Sequence, residues 1–430
     1  MNPGISISML PDNRGAVAFV RDFSLVFREQ GDITPVEICP GHRYIPWGTD
    51  NQMPFSILDL FDRDETMSAC HLFNTEVCYG SGLQYAPPTP EEKLPKKIQN
   101  QIKEFFDASD IPGYFLGLCA DIKMYAFAIS VLTLSPDGRK ITTVSRREAC
   151  YCRFSEADRT GSIPYVYYAN WRLSSIPEEI ECIPLLPLKG QQEALRTLIA
   201  KGRRKVAVLH RVPTVDFSYY PIPYYASLIR GKWYNIKQLI GTAKEATLRN
   251  SAPLKYHIEI ADTYWDRIFQ SEHITDRLEQ AKRIDLEKAN IIDFITGAEN
   301  AGKVLFSSYY VTPDRREQHD VMITKIDTDK QGGDWETDLQ EAVNMICFTM
   351  RVHSNLVGSV PGKAQSNNSG SDKRELYTIS QATQKPWRDI LFTAHRLIIA
   401  HNGWAPAVPQ CPFMQLTTLD EHTSAKPVTS

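Results

Sequence analysis

The stretch from Asp334 to Gly403 constrains this fold more than any other. It reads as helix, polar loop, helix. Trp335, Leu339, Val343, Ile346 and Met350 recur every three or four positions, which places them on one face of a helix. Asp334 follows Gly332 and Gly333 and suits an N-cap, with Glu336 and Asp338 in the first turn, where the helix dipole is positive. The pattern stops at Gly358. From there to Ser371 the run GSVPGKAQSNNSGS holds Val360 as its one large apolar residue, so it has no face to bury. A second helix begins near Ser371 and Asp372 and runs to the C-cap signal Asn402-Gly403. Pro386 inside it removes a backbone hydrogen bond, so a kink or break is expected there. Spacing alone leaves open whether the polar loop is a plain surface loop or touches a ligand.

At 430 residues the chain has material for two or three domains with ample core. A net charge of −3 excludes a generally basic nucleic-acid binder but leaves room for local basic stripes. There is no apolar run of the roughly 18 residues a membrane span needs. The N-terminus, MNPGISISMLPDN, lacks the basic and apolar regions of a signal peptide. The nine cysteines are scattered, with only Cys150 and Cys152 close together. That suits reduced thiols in a cytoplasmic protein, with no disulfide and no zinc spacing expected.

In chain order, residues 1–52 read as an irregular arm ending in the aromatic stretch YIPWG. A helix follows from Pro54 and ends at Tyr79-Gly80-Ser81-Gly82; Pro87, Pro88 and Pro90 form a hinge; Glu91 to Ala108 is an amphipathic helix. Residues 114–215 change to a mixed α+β region with an antiparallel sheet, with strands at Ala128–Leu134, Lys140–Val144, Tyr165–Tyr168 and Val206–Val212. From Tyr224 to Asn250 one uninterrupted helix is expected, about 40 Å long. Ile229, Trp233, Ile236 and Ile240 mark its apolar face, and Arg230, Lys232, Lys237, Lys244 and Arg249 make its other face basic. The basic face is either solvated or meets an anionic partner. Residues 251–333 then read as a small β-α-β-β unit. The fold class is α+β.

No chemistry rises above chance. Gly358-Ser-Val-Pro-Gly362-Lys363 has one residue too few between its glycines for a phosphate loop, and Ala364 stands where Ser or Thr is needed. The histidines are dispersed; His353, His395 and His401 read as structural or surface residues. No catalytic triad, paired carboxylate or metal-ligand spacing is present. The reading is no enzyme, no cofactor and no metal.

The order of these parts resembles the portal (head-to-tail connector) proteins of tailed bacteriophages. Short stretches look like portals from phages and prophages of Bacteroides-type hosts: Trp47-Gly48-Thr49-Asp50-Asn51-Gln52-Met53-Pro54, Tyr79-Gly80-Ser81-Gly82-Leu83, Tyr219-Tyr220-Pro221-Ile222-Pro223 and Glu299-Asn300-Ala301-Gly302-Lys303. The likeness runs over residues 44–402, and its specificity lies in the order of short motifs.

The resemblance implies a wing domain over 53–221 after the 1–52 arm. Stem helices would lie at 222–250 and 334–352, with a clip at 251–333 between them. A tunnel loop over 353–371, a kinked wing helix over 372–403 and a short tail over 404–430 would follow, with the crown reduced or absent. It implies a dodecameric ring at one capsid vertex of the virion, present in the host cytoplasm before assembly, through which double-stranded DNA is packaged and ejected. The implied partners are further copies of the chain, the terminase large subunit, major capsid or scaffold protein, and head-completion or adaptor proteins; no membrane is involved. Lys363, Gln365, Asn367, Asn368, Lys373 and Arg374 would line the channel. Ile229, Trp233, Ile236, Ile240, Trp335, Leu339, Val343 and Ile346 would lie on interface helices between subunits. The alternatives are another head–tail adaptor, or a nucleic-acid-processing enzyme.

Overall fold

The computed structural model describes residues 5–9, 16–20, 34–158, 161–173, 177–215, 219–250, 256–296, 309–311, 317–325, 335–357 and 370–413. It divides into two units, one of residues Met1–Leu239 with Glu336–Ser430, the other of Ile240–Trp335. Helices and strands are mixed in both, so the chain is α+β.

The first unit is built on the strand Phe127–Leu134, the middle of a three-stranded antiparallel sheet flanked by Lys205–Arg211 and Ile141–Arg147. Its sequence, FAISVLTL, is apolar almost throughout because both faces are covered. Phe127, Ile129 and Val131 enter one hydrophobic core, while Ala128, Leu132 and Leu134 enter a second. Lys205–Arg211 divides the same way, Ala207 and Leu209 against Val206 and Val208. A second antiparallel sheet, ordered Glu181–Pro184, Tyr165–Tyr168, Cys152–Phe154, joins the first through a parallel bridge from Leu185 to Ala207.

Helices cover the first core in pairs. Met53–Arg63 and Glu65–Tyr79 replace the single helix expected from Pro54. Asp64 is extended at φ −126°, ψ 108°, and its carboxylate accepts from Met67 N at 2.8 Å, so an N-cap restarts the chain in a new direction. Over the second core lie Lys96–Ser109 and Ile111–Tyr125. The latter is a helix of the region expected to mix helix and strand, and the sequence does not mark its place. IPGYFLGLCADIKMY is apolar on most of its circumference because it is buried on most of it, which hides the helical period.

The C-terminal segment returns to this core. Gly370–Ala382 and Lys385–Asn402 are separate helices, and Pro386 sits in the first turn of the second, where its missing N–H costs nothing. Leu391, Leu397 and Ile398 are buried in the second core, and Gly403, at φ 69°, closes the helix. Val408–Gln410 then pairs antiparallel with Gln84–Ala86. Residues 1–52 also depart from the expected irregular arm. They contain the hairpins Ile5–Met9 with Ala16–Val20, and Val36–Cys39 with His42–Tyr44.

In the second unit Tyr256–Ile260 pairs antiparallel with Val321–Lys325, and Tyr309–Val311 with Glu317–His319. Two helices, Asp262–Ser271 and Arg277–Thr296, stand between the first strand and the rest in sequence. They are tied by Arg283, which meets Glu272 and Glu287 at 2.8 Å each, and by Tyr264 donating to Glu287 at 3.2 Å.

Candidate functional site

Two other helices are anchored on Glu65–Tyr79. At its start Lys237, from the helix Trp233–Asn250, places Nζ 2.9 Å from each of Asp64 Oδ2, Glu65 Oε1 and Thr66 Oγ1. Gln238 also donates to Asp64, at 3.1 Å. The Asp64 and Lys237 side chains are 0% and 5% exposed, so this is a buried ion pair whose carboxylate is also a helix cap. Further along, Cys70 Sγ lies 3.9 Å from Cys347 Sγ of the helix Trp335–Thr349. One turn on, Asn74 Nδ2 donates to Met350 O at 2.9 Å and satisfies a carbonyl at that helix's end.

Two of the short stretches singled out in sequence meet in space, and Glu299-Asn300-Ala301-Gly302-Lys303 lies outside the described residues. Trp47 stacks on Tyr220 with centroids 4.6 Å apart and planes 2° from parallel. Tyr220 donates its hydroxyl to Ile45 O at 2.6 Å. Fully buried Arg153 donates to Asn51 O, Cys150 O and Cys152 O at 2.8 Å each, pinning the turn after Trp47 to the second sheet. Tyr79-Gly80-Ser81 is held from the C-terminus. Arg388 donates to Val77 O and Cys78 O at 2.9 Å, and Ser81 Oγ to Pro412 O at 2.7 Å. Gly80 has φ 56°, and a Cβ there would lie 2.5 Å from Arg388 Nη2, so only glycine fits.

Buried titratable groups hold the second core in register. Tyr114 OH meets Ser130 Oγ at 2.6 Å, Ser130 Oγ meets His210 Nε2 at 2.6 Å, and His210 Nδ1 lies 3.0 Å from Ile390 O. Donation from Nδ1 to that carbonyl fits a neutral ring that accepts from Ser130. Burial depresses the His210 pKa to about 4. His395, 2.7 Å from Tyr85 OH, is pushed down by burial, and secondarily by His210, to about 3. Asp121 is driven up to about 6 by burial, although Arg146 pairs with it at 2.6 Å. These are structural assignments, as expected for His395; His401 Nε2 likewise lies 3.2 Å from Gly138 O.

The expected site residues separate. Lys363, Gln365, Asn367 and Asn368 lie outside the described residues. Lys373 is exposed and Arg374 half-buried on Gly370–Ala382. The single helix from Tyr224 is corrected to two: Ala226–Arg230, then Trp233–Asn250. Gly231 is extended between them, and a Cβ there would come 2.9 Å from Ser227 O. The basic face is therefore not one stripe. Arg230 ends the short helix and Lys232 sits in the break, both exposed; Lys237 is buried and paired; Arg249 pairs with Glu245 at 2.6 Å; Lys244 is exposed. The apolar face divides too. Ile229, Val343 and Ile346 are at most 4% exposed and belong to this chain's own first core, which corrects their reading as contacts between subunits. Trp233 and Leu339 pack partly against that core, and Ile236, Ile240 and Trp335 are half-buried. Sequence reasoning missed Asp64, Arg153 and Arg388, although Asp64 three residues before Met67 in DRDETM carried the signal of an N-cap.

Among the described residues no group of three or more His, Cys, Asp and Glu is placed to hold a metal ion, and no helix is long and apolar enough to cross a membrane. No protein-family model matches the sequence, and no curated protein matches it. Solved structures do share its fold. A chain in the virion of a native gene transfer agent particle is similar at a TM-score of 0.56 and 12% identity, over 88% of this chain and 86% of that one. A chain in the neck of the native particle, computed with C12 symmetry, is similar at 0.55 and 14%, over 89% and 86%. A HK97 family phage portal protein from Corynebacterium diphtheriae aligns at 0.28 and 12%, over 76% and 83%, too low a TM-score to bear on the fold. The fold is that of a chain found in a particle neck.

Proposed function

We propose that this chain is a portal protein, a dodecameric ring at one capsid vertex through which double-stranded DNA is packaged and ejected. The observation that carries the reading is the fold shared, over nearly the whole of both chains, with a neck component of a particle computed with C12 symmetry. The order of parts in the sequence supports it independently, and the likeness to Bacteroides-type portals rests on the sequence alone. In this reading the chain is structural and catalyses nothing. Trp233–Asn250 and Trp335–Thr349 are the stem helices, and residues 251–333 are the clip that docks terminase and later the head-completion proteins. The 358–371 loop, with Lys363, Gln365, Asn367 and Asn368, faces the channel, followed by Lys373 and Arg374. Its cations meet phosphates of any sequence, and its amides offer no tight grip, as sliding DNA requires.

The test is the mass of the purified chain in solution with negative-stain images of the same sample. Rings of about a dozen subunits with a central hole are expected, as the C12 neighbour suggests. Compact particles without a hole, with and without co-produced coat or scaffold protein, refute it. A second reading, another head–tail adaptor, draws on the similar chains being part of a particle neck. It predicts a ring that binds a preformed portal instead of the coat.

A further inference from the structure

Cys70 and Cys347 are a thiol pair whose sulfurs are in direct contact across two helices. Their Sγ atoms are 3.9 Å apart, at 0% and 3% exposure. Asn74, one turn after Cys70, donates to Met350 O at 2.9 Å, and Lys237 ties down the start of the same helix through Asp64. The two sulfurs therefore cannot drift apart without uncapping the Met350 carbonyl.

We propose that Cys70 and Cys347 form an oxidative modification site, closed to a disulfide by a peroxide-class oxidant, which staples Glu65–Tyr79 to Trp335–Thr349. The pair divides its roles. The contact with Cys70, and secondarily Lys237, favours the thiolate on Cys347, while the same contact and burial disfavour it on Cys70. The Cys347 thiolate attacks hydrogen peroxide, giving Cys347 sulfenic acid and hydroxide. The Cys70 sulfur then attacks the sulfenic sulfur; the S–S bond forms, and hydroxide leaves with the Cys70 proton as water. Two thiols are oxidised by two electrons, and one peroxide is reduced to two waters. In a reducing cytoplasm the pair stays open, and in an oxidising medium it closes. The geometry required is local, so the inference does not depend on the portal reading.

The experiment treats the full chain with hydrogen peroxide, blocks free thiols under denaturing conditions and maps peptides without reduction. A peptide joining Cys70 to Cys347 is expected, absent in Cys70→Ser and in Cys347→Ser. Because the bond spans 277 positions, the oxidised wild type should melt higher by on the order of 5 °C, reversed by dithiothreitol and absent in Cys70→Ser. The proposal is overturned if both cysteines remain fully alkylatable after treatment. It is equally overturned if Cys347 proceeds to sulfinic or sulfonic acid without a link, or if the links found join other cysteines. None of these outcomes bears on whether the chain forms rings.

Discussion

The Asp64–Lys237 pair allows a quantitative test of how the helices are anchored. Lys237→Met removes the cation and leaves a carboxylate with no exposed surface, compensated only by Gln238 and the Met67 amide. Breaking a buried pair this way costs about 3–5 kcal/mol. Asp64→Ala strands the ammonium with Glu65, whose side chain is 82% exposed, and also deletes an N-cap, itself worth about 1 kcal/mol. The singles are each expected to destabilise by about 3–5 kcal/mol. The double variant buries neither charge, so its loss should not exceed about 3 kcal/mol, the cap plus imperfect packing. The coupling energy is then at least about 3 kcal/mol. Urea unfolding followed by tryptophan fluorescence measures it, and hydrogen exchange at the amides of Glu65–Tyr79 shows whether the loss is centred there. Additivity of the two singles within about 0.5 kcal/mol would refute the argument, because uncoupled groups cannot be holding one another.

Acid should weaken the second core. His210 and His395 are depressed to about 4 and about 3, so below about pH 6.5 the unfolded chain takes up protons the folded chain refuses. Their stabilisation is complete above that pH and is lost as the pH falls toward 4, by roughly 3 kcal/mol for His210 alone. His395→Phe should flatten the fall of the urea midpoint between about pH 7 and pH 5, and an unchanged slope would remove His395 from the account. Gly80→Ala puts a Cβ 2.5 Å from a guanidinium already fixed by two carbonyls, at a φ of 56°. A loss of about 2–4 kcal/mol is expected in thermal melts, and a neutral result would mean that Arg388 gives way freely.

Much of the architecture was legible because it depended on local signals. Tyr165–Tyr168 is found at the expected residues, Trp335–Thr349 within one residue of the expected start, and the break at Pro386 follows from its missing donor. What escaped was set by tertiary context. Ile111–Tyr125 is buried on most sides, so its apolar residues carry no helical period. Ile229, Trp233, Ile236 and Ile240 keep their spacing across the break at Gly231, so periodicity alone merged two helices. Lys237 looked like part of a solvated face because its partner, Asp64, lies 173 positions away. The sequence shows that Val343 and Ile346 are apolar and share a face; only the fold shows that their own chain covers them.

The second core also imposes a schedule on biosynthesis. It contains Cys78, Phe115 and Leu132, made early, and Leu391, Leu397, Ile398 and Trp404, made much later. At about 5–20 residues per second, the ribosome needs on the order of half a minute to travel between these groups. From its own synthesis until then Lys205–Arg211, whose His210 meets Ile390 O, has an apolar face with its final cover not yet translated. The nascent chain must therefore reach its native core after synthesis of the C-terminal helix, and any truncation before Lys385 leaves a sheet exposed on the ribosome. Quality control would see such fragments as unfinished, and intact chains would be released for assembly only once that helix had docked.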